Sequence, residues 1–379
     1  MLYIFWCMIS LILYHIIGYP IVLIILSLFK KRKKEIFDCT HTPSITILCP
    51  AYNEVEVIEK KIKSFINLKY PHERLELVVI SDDSTDGTNE IVEKYSRKYK
   101  NVKLVIQKPR KGKPSGHNLV ESTITSDFVL STDANSVFKS NCISLLVSYI
   151  GSDKNIGMVS GNLNLIKNNG DSGEGYYWKY EKILRDYENR VHSIICANGS
   201  LYLIRRSLFR QIHPSSVDDF ERTIYVLKSG YKVKYCKKAI VSEDVSYEPR
   251  EEIKRKIRII SREWFALFRQ SSILNPMKFP VTSFFIFSHK VLRWLIGPVA
   301  LLLLIANTFL LNNPFYLVFF LIQLIGYIIS IVELLLEEKG KSIKYIKLPA
   351  YLVAMIYSSF VALVKFIMGK QQTMWSTDR

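Results

Sequence analysis

Three apolar, strand-like runs in this chain each end in an acidic polar cluster. Ser44–Cys49 leads into Pro50-Ala51-Tyr52-Asn53-Glu54, Leu75–Ile80 into Ser81-Asp82-Asp83-Ser84-Thr85-Asp86-Gly87, and Phe128–Leu130 into Ser131-Thr132-Asp133-Ala134-Asn135. Open parallel sheets bind ligands beyond the carboxyl ends of their strands. Carboxylates repeated along that edge predict one site that holds a sugar, a base or a metal. Between the runs, apolar residues recur at helical spacing in Glu54–Asn67 and Thr88–Lys100, Val102–Ile106 reads as a further strand, and His117–Thr123 reads as a short helix. This alternation predicts an α/β domain with a mainly parallel, mixed sheet and helices on both faces. Further on, Met158–Ile166 and Leu201–Ile204 read as extended, and Gly175–Arg190, Asp218–Lys228 and Glu251–Gln270 as helices, with Gly230 as a C-cap.

Hydrophobic residues make up 49% of the 379, and they are concentrated at the two ends. Leu2–Phe29 exceeds the roughly 20 apolar residues needed to cross a bilayer. Lys30-Lys31-Arg32-Lys33-Lys34 follows it, so the positive-inside rule puts the N-terminus outside and the middle of the chain in the cytoplasm. Val291–Leu311 and Phe315–Leu336 are further spans, joined by an outer turn at Asn312-Asn313-Pro314. Leu348–Met368 carries Lys365 and precedes Lys370 and Arg379, which favours a re-entrant or interfacial segment. The expected organisation is an N-terminal transmembrane helix and basic stop over 1–38, a cytoplasmic α/β domain over 39–275 and a membrane domain over 276–379. The protein is thus expected to be multi-pass in the cell membrane, with the lipid bilayer as a partner.

The net charge of +18 does not imply nucleic acid as a partner. It gathers beside the apolar segments and in Arg97–Lys113 and Arg250–Arg262, which suits anionic headgroups or a phosphorylated substrate. Six scattered cysteines contain no C-x-x-C pair, which gives no support to zinc or redox chemistry and fits a reducing compartment.

Each acidic cluster also has a structural explanation. Asp83 or Ser84 could cap the next helix, and Asp86 beside Gly87 reads as such a cap. Two adjacent carboxylates, Asp82 and Asp83, exceed what a cap needs. Arg110-Lys111-Gly112-Lys113 could cradle phosphate or be a solvated basic loop; it is not a P-loop. Asp218-Asp219-Phe220, at a helix start, could serve the helix dipole or supply a general base. Glu181, Arg185 and Glu188 read as an exposed charge stripe.

Taken in order, these pieces resemble the family 2 inverting glycosyltransferases of GT-A fold. The likeness continues through Ser160-Gly161-Asn162, Asn198-Gly199-Ser200-Leu201-Tyr202 and Gly230-Tyr231, and covers about Ser44–Gln270. The flanking apolar segments resemble the membrane-bound polysaccharide-synthase branch. The resemblance implies that Ala51, Tyr52 and Glu54 line a nucleoside pocket and that Asp83, with Asp82, binds uracil. It implies that Lys113 approaches the diphosphate and that Asp133 faces ribose or, with Asn135, a divalent cation (Mg2+ or Mn2+). Asp219 matches the catalytic base, with Asp218 beside it where the family carries Glu. The implied reaction moves a sugar from a nucleotide-sugar, a UDP-sugar, to a glycan or lipid-linked acceptor in surface polysaccharide synthesis. Single-sugar transfer to a polyprenyl phosphate is the nearest alternative, and an inactive membrane scaffold is one of a different class.

Two departures stand out. Asn135 replaces the second carboxylate of the D-x-D signature, and an amide oxygen is a weaker ligand for a hard cation. Processive synthases carry Q-x-x-R-W; here Arg262 and Trp264 echo that acceptor helix without matching it.

Overall fold

The computed structural model describes residues 1–30, 42–167, 173–245, 249–337, Lys341, Ile343 and 346–370. Lys31–Lys34, Cys39 and Arg379 lie outside the described residues.

The first apolar run forms one long helix, α1 (Leu2–Leu28), with a π-turn at Tyr14–Gly18. The next elements alternate: β1 (Ile45–Ala51), α2 (Val55–Ile66), β2 (Leu75–Ser81), α3 (Thr88–Lys98), β3 (Val102–Ile106), α4 (Lys113–Val120) and β4 (Phe128–Thr132). These four strands pair in parallel, in the order β3-β2-β1-β4. β1 is buried along its whole length, as a strand covered by helices on both faces must be. Its side chains alternate between two cores. Ile47 and Cys49 face Ile58, Ile62 and Phe65 of α2, whereas Leu48 joins the core on the opposite face.

The second half supplies β5 (Val137–Phe138), α5 (Cys142–Gly151), β6 (Ile156–Lys167), α6 (Gly173–Val191), β7 (Leu201–Arg205), α7 (Asp218–Lys228), β8 (Lys232–Val245) and α8 (Pro249–Arg269). The described residues form an eight-stranded mixed sheet, β3-β2-β1-β4-β7-β6-β8-β5. β7 runs antiparallel to both β4 and β6. β5, α5 and β8 are additions to the elements expected from the sequence. β8 carries lysines and acids that break its apolar pattern, yet it pairs with β6 over ten register positions. The helix expected over His117–Thr123 starts earlier, at Lys113. Pro114, in its first turn, has no N–H to lose there.

The C-terminal part forms α9 (Pro280–Trp294), α10 (Ile296–Thr308), α11 (Pro314–Glu337) and α12 (Lys347–Ile367). The stretch expected to be one span over Val291–Leu311 is bent by 59° where α9 meets α10. The expected span Phe315–Leu336 is an unbroken helix. So is Lys347–Ile367, which by length and composition could cross a membrane as α1 and α11 could. However, α12 lies along the α/β domain. Phe366 stacks on Trp264 of α8 at 6.0 Å, Tyr351 meets Tyr177 of α6 at 5.9 Å, and Ser359 accepts from the Gly297 amide at 2.8 Å. α10 runs beside α1: Phe5 packs with Leu303 and Ala306, and its ring meets Tyr316 and Phe319. The turn at Asn312–Pro314 therefore lies at the N-terminal end of α1.

The charge stripe of α6 is not exposed. Glu188 accepts from Tyr19 at 2.7 Å and pairs with His289 at 2.6 Å, and Glu181 pairs with Arg293 at 2.7 Å. These buried groups fasten α1 and α9 to the α/β domain, and each would be costly unpaired.

Candidate active site

The first two acidic clusters are joined to each other. The Asn53 amide donates to Ser84 Oγ at 3.1 Å, and Asn53 Oδ1 accepts from the Thr85 amide at 2.9 Å. Asp86 accepts from the Val55 amide at 3.0 Å and caps α3 through the Thr88 amide at 3.0 Å, the structural role read for it. Thr88 Oγ1 in turn accepts from the Glu54 amide at 2.8 Å. Ala51 and Glu54 are buried and Tyr52 is half-buried beside them. Asn53 (φ 50°) and Asp83 (φ 63°) both adopt the left-handed conformation, which Asn and Asp tolerate better than other side chains.

Asp82 and Asp83 separate. Asp82 turns into the protein and organises the basic loop. It accepts from the Gln107 side chain at 2.5 Å and from the Lys111 and Gly112 amides at 2.8 and 3.0 Å, with Arg110 at 3.5 Å. Asp83 stays at the surface, 3.9 Å from Lys108. The Arg110 guanidinium lies 3.4 Å from the centre of the Tyr52 ring, so the basic loop folds over the β1 end.

Lys113, the first residue of α4, is the centre of the site. Its Nζ donates to Asp133 Oδ1 at 2.8 Å and to the Gly199 carbonyl at 3.1 Å, and lies 3.6 Å from Asp218 Oδ2. Asp133 Oδ2 accepts from Ser200 Oγ at 2.9 Å. Asp218 is buried and accepts from Tyr202 Oη at 3.0 Å, with His117 and Arg222 each at 3.8 Å. Burial alone would raise the Asp218 pKa, but Lys113, His117 and Arg222 hold it down to about 2. Asp219 moves the other way. Burial, then the charge of Asp218, pushes its carboxyl up to about 7, against the pull of Lys113. A Cβ built on Gly199 would lie 3.0 Å from Asp219 Oδ2 and 3.6 Å from Lys113 Nζ, so the Asp219 carboxylate, the lysine and this backbone close on one point. Two adjacent carboxylates with divergent pKa values give one permanent anion and one group able to take up a proton near neutrality.

The family Glycosyl transferase family 2 matches residues 46–212, which include the first two acidic clusters, Lys113 and Asp133. This is a glycosyltransferase with a family 2 domain. A probable glycosyltransferase of Bacillus subtilis, YdaM, is 28% identical over 377 residues, covering 89% of this chain and 87% of its own. Poly-beta-1,6-N-acetyl-D-glucosamine synthase of Staphylococcus aureus (strain COL) is 23% identical over 214 residues, 55% of this chain and 51% of the synthase. The mannosyltransferase PcManGT of Pyrobaculum calidifontis, solved with GDP-Man and Mn2+, has a TM-score of 0.73 at 21% identity, over 97% of this chain and 99% of its own. That likeness establishes a shared GT-A-type fold.

The two residues of the glycosyltransferase that echo the acceptor helix have different surroundings. Arg262 donates to the carbonyls of Pro214 and Ser215, both at 3.2 Å, and also to that of Ser216. It clamps the loop that leads into Asp218. Arg262→Ala is therefore expected to cost about 2–4 kcal/mol of stability, the loss of hydrogen bonds to a charged donor. Thermal unfolding would measure that cost, and a nucleotide titration should show unchanged affinity. Trp264 packs between Trp294, at 4.9 Å, and Phe366. Between Asp219 and the apolar segments lies a buried set that no local pattern in the sequence marks. Glu263 pairs with Lys290 at 2.6 Å and accepts from Trp294 Nε1 at 3.0 Å. Gly199 enters the site through its main-chain carbonyl and Ser200 through its hydroxyl, neither of which the sequence pattern marks.

Proposed function

We propose that this glycosyltransferase moves one sugar from a UDP-sugar to a hydroxyl of a glycan or lipid-linked acceptor, with inversion, at the cytoplasmic face of the cell membrane. The observation that carries this reading is Lys113, held between Asp133 on the donor side and Asp218 beside the base. The acceptor oxygen attacks the anomeric carbon as the bond to the diphosphate breaks, and the nucleoside diphosphate leaves with the electron pair. Asp219 takes the acceptor proton as the new bond forms. Lys113 offsets charge on the departing diphosphate. A single displacement inverts the anomeric centre.

Asp133, whose oxygens now accept from Lys113 and Ser200, and Asn135 would supply two hard oxygen ligands. Among the described residues no group of three or more His, Cys, Asp or Glu side chains gathers at a common point. A divalent cation held there would need diphosphate oxygens and water to complete its shell, rather than an all-protein cage. When bound, such a cation adds positive charge at the diphosphate.

A second reading, transfer to a polyprenyl phosphate, is favoured by one contact. Phe220, next to the base, meets Trp294 of the apolar C-terminal part edge-on at 5.7 Å. That acceptor is already an oxyanion and needs no base, so the raised pKa of Asp219 weighs toward a hydroxyl. Incubating membranes with labelled UDP-sugars and Mn2+ separates the readings by product, polymer or single-sugar lipid. Product from a GDP-sugar and from no UDP-sugar would overturn the donor assignment.

For topology, the packing of α12 along α8 supports an interfacial helix, and the packing of α10 beside α1 supports a bent crossing by α9 and α10. A cysteine replacing Asn312 is expected to react with an impermeant reagent on intact cells, and one replacing Lys370 to resist it. External labelling at 370 would mean that α12 crosses.

A further inference from the structure

Lys61 is fully buried, although it belongs to a helix whose other lysines, Lys60 and Lys63, face solvent. Its position is readable in retrospect, because it falls three residues after Ile58 and four before Phe65, on the apolar face of α2. Among the described residues its ammonium has no ion-pair partner. Instead Nζ donates to Thr132 Oγ1 and to the Ser136 carbonyl, both at 2.6 Å, and sits 3.5 Å from the centre of the Phe138 ring. A buried cation without a counter-ion is costly, and burial pulls the Lys61 pKa down to about 8. A packing role would be filled more cheaply by methionine or leucine.

What the ammonium holds is the turn that carries the third acidic cluster. Its two acceptors stand on either side of Asp133-Ala134-Asn135. From Thr132 the network continues outward: Thr132 Oγ1 donates to the Ser200 carbonyl at 2.9 Å, and Ser200 Oγ donates to Asp133 Oδ2 at 2.9 Å. From Ser136, Oγ donates to Glu243 Oε1 at 2.5 Å. Both ends of the turn are thus tied to one rigid helix. A site with one carboxylate and one amide oxygen gains most from such rigidity, because two ligands must stand ready without a third to correct them.

We propose that Lys61 is a positioning residue for the cation–diphosphate end of the donor site, acting through the Thr132–Ser136 turn. This rests on the reading that Asp133 and Asn135 meet a divalent cation there. The test is Lys61→Met, which keeps the volume and removes the ammonium. Calorimetric titration of the purified full chain with UDP or GDP in Mn2+, whichever the wild type binds, is expected to show Kd raised at least fivefold. The kcat at saturating donor should stay within threefold, a split that general loosening of the fold would not produce. A smaller change in Kd, or a loss of kcat at unchanged Kd, overturns the proposal. If Lys61→Met does not fold, Thr132→Val removes one of the two acceptors and is judged by the same threshold. A wild type that binds neither nucleotide with Mn2+ would sink the donor-site reading itself, a result distinct from failure of the Lys61 role.

Discussion

Asp219→Asn is expected to slow glycosyl transfer by about 10³-fold, within the range for loss of a general base, while nucleotide affinity stays within twofold. Asparagine keeps the shape of the side chain and its contact with the Phe220 amide, but it cannot take up the acceptor proton. The wild-type rate should also rise with pH through about 7, where burial and Asp218 place the Asp219 carboxyl. Below that pH the group is protonated and cannot act as the base; above it the rate levels off. The asparagine variant should lack this limb. Stability follows the opposite sense. The folded pKa is raised, so ionising Asp219 costs stability that is absent below the unfolded carboxylate range, near 4, and complete above 7. At pH 8 the variant should therefore melt no lower than the wild type. Near-normal turnover, or an acid limb that survives the substitution, would remove Asp219 from its role and favour an acceptor that is already ionised.

Lys113→Met should cost about 10²–10³ in kcat, the loss seen when one fixed donor to developing charge is removed. The effect has two sources. The diphosphate loses its nearest protein cation, and the Asp133, Asp218 and Asp219 carboxylates lose the charge at their centre. Lys113 pulls the Asp219 pKa down, so the acid limb should move to higher pH in the variant. Donor KM should rise as well. Steady-state rates from pH 5 to 9 report both effects, and unfolding curves check that the domain is intact. A kcat within tenfold of wild type and an unmoved limb would show that Lys113 serves only to hold the loop.

The elements legible in the sequence were those whose pattern is local. β1 to β4 and the helices α2, α3, α6, α7 and α8 carry apolar residues at the period of the structure they form, and turn residues bound them. β8 was illegible because its lysines and acids, some exposed like Lys237 and some bonded inside like Lys234 and Glu243, interrupt the apolar pattern. Its pairing with β6 is a non-local fact, fixed by hydrogen bonds that any residue but proline can make. The bend between α9 and α10 was hidden for a similar reason. Hydropathy reports an apolar stretch but not where the helix axis turns. Within the site, residue types were legible and their orientation was not. Asp82 and Asp83 read as a pair, yet a left-handed backbone at Asp83 turns one carboxylate into the basic loop and leaves the other at the surface. Arg262 read as part of an acceptor helix, and only its three carbonyl partners show that it braces the loop before Asp218.

By itself, the sequence determined an α/β domain with acidic strand ends and apolar segments on both flanks. Periodicity and composition suffice for this, because they report which faces are buried and which chemistry remains. Only the tertiary structure decided that Lys113 joins Asp133 to Asp218, that Asp218 and Asp219 diverge in acidity, and that Lys61 lies beneath the third acidic cluster. Those properties depend on distances of a few ångströms between groups far apart along the chain, and on how much water the fold leaves around them.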